Sequence, residues 1–180
     1  MLVELAIERH HDERVIEGTA QRNPYVELNF RPNVQLVSVV RRFVSEFYQR
    51  TLSDPDGTSR VALATHELLE NAVKYSKDGE TTIRIEVKAE TTPRTVSIML
   101  RNRAEVQHIA AIKEIVDGLT ARRDAFSFYQ ELISSKARNK EGSGLGLARI
   151  CAEGDMVVTL DVVDSDLVVL EATTHVGGAA

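Results

Sequence analysis

Glu67, Glu70, Asn71 and Lys74 are spaced so that, at about 100° per residue, one helix carries all four on a single face. Val61, Ala64, Leu68 and Ala72 take the neighbouring face. A solvated helix sets its polar stripe opposite its apolar one. Here the two adjoin, as they would at the rim of a pocket. A carboxylate at Glu67 can take a proton from an attacking hydroxyl. The side-chain oxygen of Asn71 is a neutral, hard donor suited to Mg²⁺, which keeps several waters and takes few protein ligands beside phosphate oxygens. Lys74, one turn on, can neutralise phosphate charge. The plainer alternative is a solvated face carrying an ordinary Glu70–Lys74 pair. His66-Glu67-Leu68-Leu69-Glu70 opens like the His-Glu-x-x-His zinc motif but lacks the second histidine. His66 as a phosphoacceptor lies off the stripe and reads better as a surface or packing residue.

A second group is Gly142-Ser143-Gly144-Leu145-Gly146-Leu147. Glycines at alternate positions let backbone approach a ligand closely and adopt positive φ. A helix starting near Leu145 would aim unpaired N–H groups and its positive end at an anion. A dinucleotide fingerprint would need a buried strand just before the glycines, and the run from Ser135 to Glu141 is polar. No Gly-Lys-Ser/Thr follows, so a P-loop is excluded. A plain tight turn is the alternative.

The elements that must position these groups follow from periodicity. Leu2 to Gly18 reads as a charged helix, a cap on the domain or an arm for a homodimer, broken by Gly18 and Asn23-Pro24. Tyr25 to Phe30 alternates as a half-buried strand. Asn33 caps a helix to about Arg50 with Val34, Val37, Val40, Val44 and Phe47 as its stripe. The loop Ser53 to Gly57 leads into a helix over Thr58–Ser76, and Lys77 to Glu80 turns the chain. Thr82–Glu90 and Arg94–Arg101 form a hairpin. Ala104 to Lys136 is helical, in two stripes separated at Gly118 and Thr120. A short helix to Glu153, strands over Met156–Val162 and Leu167–Thr174, and a frayed tail from Gly177 complete the order. This predicts an α/β (α+β) two-layer sandwich, a mixed, mostly antiparallel sheet with helices on one face. Residues 1–22 would be an N-terminal extension and 23–176 the domain.

Composition narrows the classes. With 43% hydrophobic residues, the 180-residue chain can build a core without staples. Its 22 basic against 27 acidic residues, a net charge of −5, disfavour phosphate-backbone binding, so no nucleic-acid partner is expected. The single cysteine, Cys151, excludes an intrachain disulfide and a Cys-rich zinc site, and reads as a small core residue. No apolar run reaches spanning length, and the N-terminus lacks a signal-peptide pattern. No membrane association is expected, and the expected compartment is the cytoplasm.

The stretch from His66 to Ser76 resembles the N box of the GHKL (Bergerat-fold) ATPase superfamily, and Gly142 to Leu147 resembles its G2 box. The element order from about Tyr25 to Thr174 also resembles that histidine-kinase-like ATPase fold. The size, without a dimerising phosphoacceptor domain, looks most like bacterial anti-sigma-factor serine kinases and SiaB-type protein kinases of partner-switching pathways. The resemblance implies ATP and Mg²⁺ as cofactors and a small STAS-like or SiaC-like partner phosphorylated on Ser or Thr. It also implies Glu67 as general base, Asn71 as Mg²⁺ ligand and Lys74 near the phosphates. Gly142, Ser143, Gly144, Leu145, Gly146 and Leu147 would form the phosphate-cradling turn. The family's Asp-x-Gly-x-Gly box should follow Thr95–Arg101, where this chain has Asn102-Arg103-Ala104-Glu105-Val106. Asn102 would then meet adenine through a neutral amide, or the chain would act as a non-catalytic switch with a degenerate pocket. A histidine kinase core is disfavoured, because His10 and His11 lie in a segment too short for a dimerisation module.

Overall fold

The computed structural model describes residues 23–31, 33–88, 93–122, 124–136 and 144–177. The extension expected at 1–22, and Gly142 and Ser143 of the glycine turn, lie outside the described residues. The elements run β1 (Tyr25–Phe30), α1 (Val34–Leu52), α2 (Pro55–Tyr75), β2 (Ser76–Lys88), β3 (Arg94–Ala104), α3 (Val106–Ala121), α4 (Ala125–Lys136), α5 (Leu145–Ala152), β4 (Val157–Val163) and β5 (Leu167–Val176). The five strands form one sheet in the order β1-β2-β3-β5-β4.

Every neighbouring pair is antiparallel, in keeping with the mostly antiparallel sheet expected from sequence, and no parallel ladder occurs among the described residues. The helical excursion α3–α5 does return β4 in the direction of β3. The β4–β5 hairpin then inserts β5 between them, and the parallel relation never becomes a ladder.

Alternation does the sorting. Ile83, Ile85 and Val87 on β2, Val96, Ile98 and Leu100 on β3, and Val168, Leu170 and Ala172 on β5 all bury their side chains in one core. Val61, Ala64, Leu68, Leu69 and Ala72 of α2 join that core, and each fully buried aliphatic side chain contributes about 1.5–3 kcal/mol. The stripe on α1 keeps Val37, Val40 and Val44 but continues through Tyr48 and Leu52, leaving Val34 74% exposed and Phe47 half-buried. Tyr48 takes the inward position because its hydroxyl donates to the buried carbonyl of Ile85 at 2.9 Å; burial pushes that phenol up.

Local chemistry sets the boundaries. Asn33 caps α1, its Oδ1 accepting from the N–H of Leu36 at 3.0 Å. α2 begins at Pro55, before the expected Thr58, because Asp54 is its N-cap and Pro55 its first residue. Oδ1 of Asp54 accepts from Gly57 at 2.9 Å and Oδ2 from Gly177 at 3.0 Å, and these N–H groups hold its carboxyl below the usual range. Gly177, expected in a frayed tail, is thus tied to the start of α2. α2 passes straight into β2, and the turn expected at 77–80 is an irregularity in that strand between Ser76 and Thr81. α3 continues through Gly118, where a Cβ would come 2.8 Å from Cζ of Phe128. That glycine lets α4 pack closely. The break falls later, at Asp124, whose Oδ1 accepts from Phe126 at 3.0 Å and Ser127 at 3.2 Å. Cys151 is half-buried, its thiol pushed up to about 11 by burial.

Candidate functional site

The two sequence constellations meet where α5 presses on α2. A Cβ added to Gly146 would lie 2.7 Å from Oε2 of Glu67, 3.6 Å from its Cβ and 3.7 Å from Nδ2 of Asn71. Only glycine lets the α5 backbone come this close to both side chains. Glu67 and Asn71 are one turn apart on α2. Glu67 is buried and Asn71 half-buried, and among the described residues nothing hydrogen-bonds the Asn71 amide.

α5 starts at Gly144, which has φ +112 and no side-chain cap. Its first backbone bond runs from the N–H of Ala148 to the carbonyl of Gly144 at 3.0 Å. The N–H groups of Leu145, Gly146 and Leu147 therefore precede the helix's own ladder and are available to an anion. Leu147 contributes only backbone, since its side chain is in the core, and Leu145 is half-buried. Ile115 of α3 covers the turn, with Cγ1 2.6 Å from where a Gly144 Cβ would be. Gly144→Ala is expected to cost about 1–3 kcal/mol in urea unfolding, from positive φ as well as this contact. Pairing it with Ile115→Ala should relieve only the steric part; an unchanged midpoint for the single variant would contradict this conformation.

Lys74 is engaged on its own helix. Its Nζ pairs with Glu70 Oε2 at 3.1 Å, and its side chain is 56% exposed. This is the i,i+4 pair of the plainer reading, formed because a helical side chain leans back over the preceding turn. Glu70 also meets Nε2 of His66 at 3.4 Å. Among the described residues no group of three His, Cys, Asp or Glu side chains could hold a metal ion.

Asn102 sits on β3. It is buried, its amide nitrogen donating to the carbonyl of Arg103 at 3.1 Å. With Phe30, Leu36, Thr81, Arg101 and Arg103 it lines an open groove of about 620 Å³ at the end of the sheet. No α2 or α5 residue is among the described lining of that groove. Among the described residues, the groove that Asn102 lines is built from strand ends and the start of α1. The longer β3, running to Ala104, carries Asn102 inside the ladder opposite Thr81 rather than in a loop above it.

Arg149, missed in sequence, completes the corner. Its Nη1 meets Oε1 of Glu67 at 3.0 Å and its Nε meets Oε2 of Glu153 at 2.7 Å. The Glu153 bond most of all raises the guanidinium's pKa; burial opposes it, and the Glu153 charge and the Glu67 bond add to the rise. Tyr129 of α4 faces the same group, its phenol pushed up by partial burial and then by the Glu153 carboxylate. The one local signal was Arg149–Glu153 at i,i+4 on the helix after the glycines. Its partner on α2 is 82 residues away.

This arrangement, a polar helix stripe under a glycine-led helix on an antiparallel sheet, is that of a nucleotide-binding α/β domain. The chain belongs to the histidine kinase-like ATPase domain family, whose model matches residues 30–153. Among solved structures it is similar to a chain in the crystal structure of the SiaB–SiaC complex from Pseudomonas aeruginosa. The similarity covers 86% of this chain and 90% of that one, with a TM-score of 0.68 and 15% sequence identity. At that identity the likeness is one of fold. No curated protein matches the chain. Among the described residues no helix is long and apolar enough to cross a membrane.

Proposed function

We propose that this chain is an ATP- and Mg²⁺-dependent serine/threonine protein kinase that phosphorylates a small regulatory partner of the SiaC-like or STAS-like kind. The observation that carries this reading is the contact of Gly146 with Glu67 and Asn71. It sets a carboxylate, an unengaged amide and a helix N-terminus around one point. The residues fit a phosphate tail and its metal: the half-buried Asn71 amide is free among the described residues, and the N–H groups of Leu145 to Leu147 lie beside it. Mg²⁺-ATP, when bound, supplies the transferable γ-phosphoryl group. Asn71 would hold the metal, the α5 N-terminus would neutralise phosphate charge, and Glu67 would accept the proton of the attacking hydroxyl. Such transfer needs positioning and charge stabilisation more than covalent chemistry. The partner class is taken from the SiaB–SiaC neighbour and from the motif resemblance.

A second reading, a switch with a degenerate pocket, is favoured by one observation. Asn102 lies in the sheet-end groove with its amide nitrogen already donating to the carbonyl of Arg103. The two separate in a labelling assay. Incubating the chain with γ-labelled ATP and a heat-treated extract of its own cells is expected to label one small protein. The label should be stable to acid and lost in alkali, as a phosphoserine or phosphothreonine ester is. Absence of label, with ATP still bound, would establish the switch; an acid-labile label would point to phosphohistidine and sink the kinase class proposed.

A further inference from the structure

Arg149 joins two carboxylates through the two directions of one planar fork, Glu67 on α2 and Glu153 after α5. Because a guanidinium is rigid, fixing its Nε on Glu153 also fixes where its Nη1 points. That nitrogen takes Oε1 of Glu67. The other oxygen, Oε2, makes no hydrogen bond among the described residues and lies against Gly146. The Glu67 side chain is only 12% exposed, so it has little room to choose another rotamer. The carboxylate is thus presented with one oxygen engaged and the other turned toward the head of α5.

We propose that Arg149 is a positioning residue, holding Glu67 so that Oε2 receives the proton of the incoming hydroxyl; this rests on the kinase reading above. In the step served, the partner's hydroxyl oxygen forms a bond to the γ-phosphorus of ATP. The bond from that phosphorus to the bridging oxygen of the departing ADP breaks, and the hydroxyl proton passes to Oε2. Arg149 exchanges no proton. Its second arm extends the device: Glu153 follows α5, the helix against which α4 packs. No α4 side chain is fully buried among the described residues. Loosening Arg149 should therefore be felt in α4 before it is felt in α2.

The test compares R149Q, R149K, E67Q and the E67Q/R149Q double variant in the labelling assay, in MgATP melting shifts and in amide exchange over α4. R149Q is expected to keep its MgATP shift to within about 2 °C while apparent kcat falls by roughly 30-fold or more, at under about threefold change in KM for ATP. R149K should recover most of that loss, and the double variant should be no slower than E67Q alone, because both act through one carboxylate. Without nucleotide, α4 amides should exchange about tenfold faster in R149Q, with α2 unchanged. An unchanged kcat would overturn the positioning role. A raised kcat would make Arg149 a restraint, and a lost MgATP shift would make it a ligand; either overturns the proposal. Wild type that binds MgATP and labels nothing would overturn the kinase reading itself, a result distinct from labelling that R149Q leaves intact.

Discussion

Glu67→Gln is expected to abolish most phosphoryl transfer, a loss on the order of 10²–10⁴-fold, while leaving MgATP binding in place. The substitution keeps the side chain's size and an oxygen that Arg149 can still hold at the Oε1 position. It removes the ability to take up a proton. Among the described residues Glu67 makes no hydrogen bond to the head of α5 and lies against Gly146 there, so the backbone N–H groups proposed to meet the phosphates should not move. The signature is therefore a low kcat with a nearly wild-type KM for ATP, read in the labelling assay. Equal loss of MgATP binding would show that the carboxylate is structural.

Asn71→Ala is expected to act on the other term. At about a hundredfold excess of MgATP over its dissociation constant, a ligand of the folded state adds about 2.7 kcal/mol. For a domain of this size that is a melting shift of roughly 5–10 °C. Asn71 is half-buried with no hydrogen-bond partner among the described residues, so its removal breaks no hydrogen bond among them. The variant should melt near wild type without nucleotide and lose the shift with it. A shift retained in full would move the metal away from Asn71.

What could be read from the residues divides by range. The strand Tyr25–Phe30, the Asn33 cap and the helix after the glycines are written in local alternation and capping chemistry, and the structure shows each of them. The start of α2 was written there as well, in Asp54-Pro55, but the polar Ser53–Gly57 run reads first as a loop. Gly118 reads as a breaker because local pattern does not reveal that Phe128 needs the space. For the site, Glu67 and Asn71 share a helix face as their spacing implied, and Gly146 lies against them as the family resemblance implied. Lys74 turned to Glu70, an equally local alternative that side-chain direction decides. Arg149 pairs across 82 residues, and the place of Asn102 in the ladder depends on how far β3 extends. Neither is visible in a window of one or two turns.

The central claim is that a nucleotide's phosphates and metal sit between Asn71 and the head of α5. Mn²⁺ in place of Mg²⁺ tests it, because a paramagnetic ion broadens the NMR signals of nearby nuclei. Titrating substoichiometric MnATP into isotope-labelled chain should erase first the amide signals of Leu145, Gly146 and Leu147 and the side-chain amide of Asn71, with those of β1 intact. Broadening confined to Arg101, Asn102 and Arg103 in the sheet-end groove, or none at all, would contradict the account.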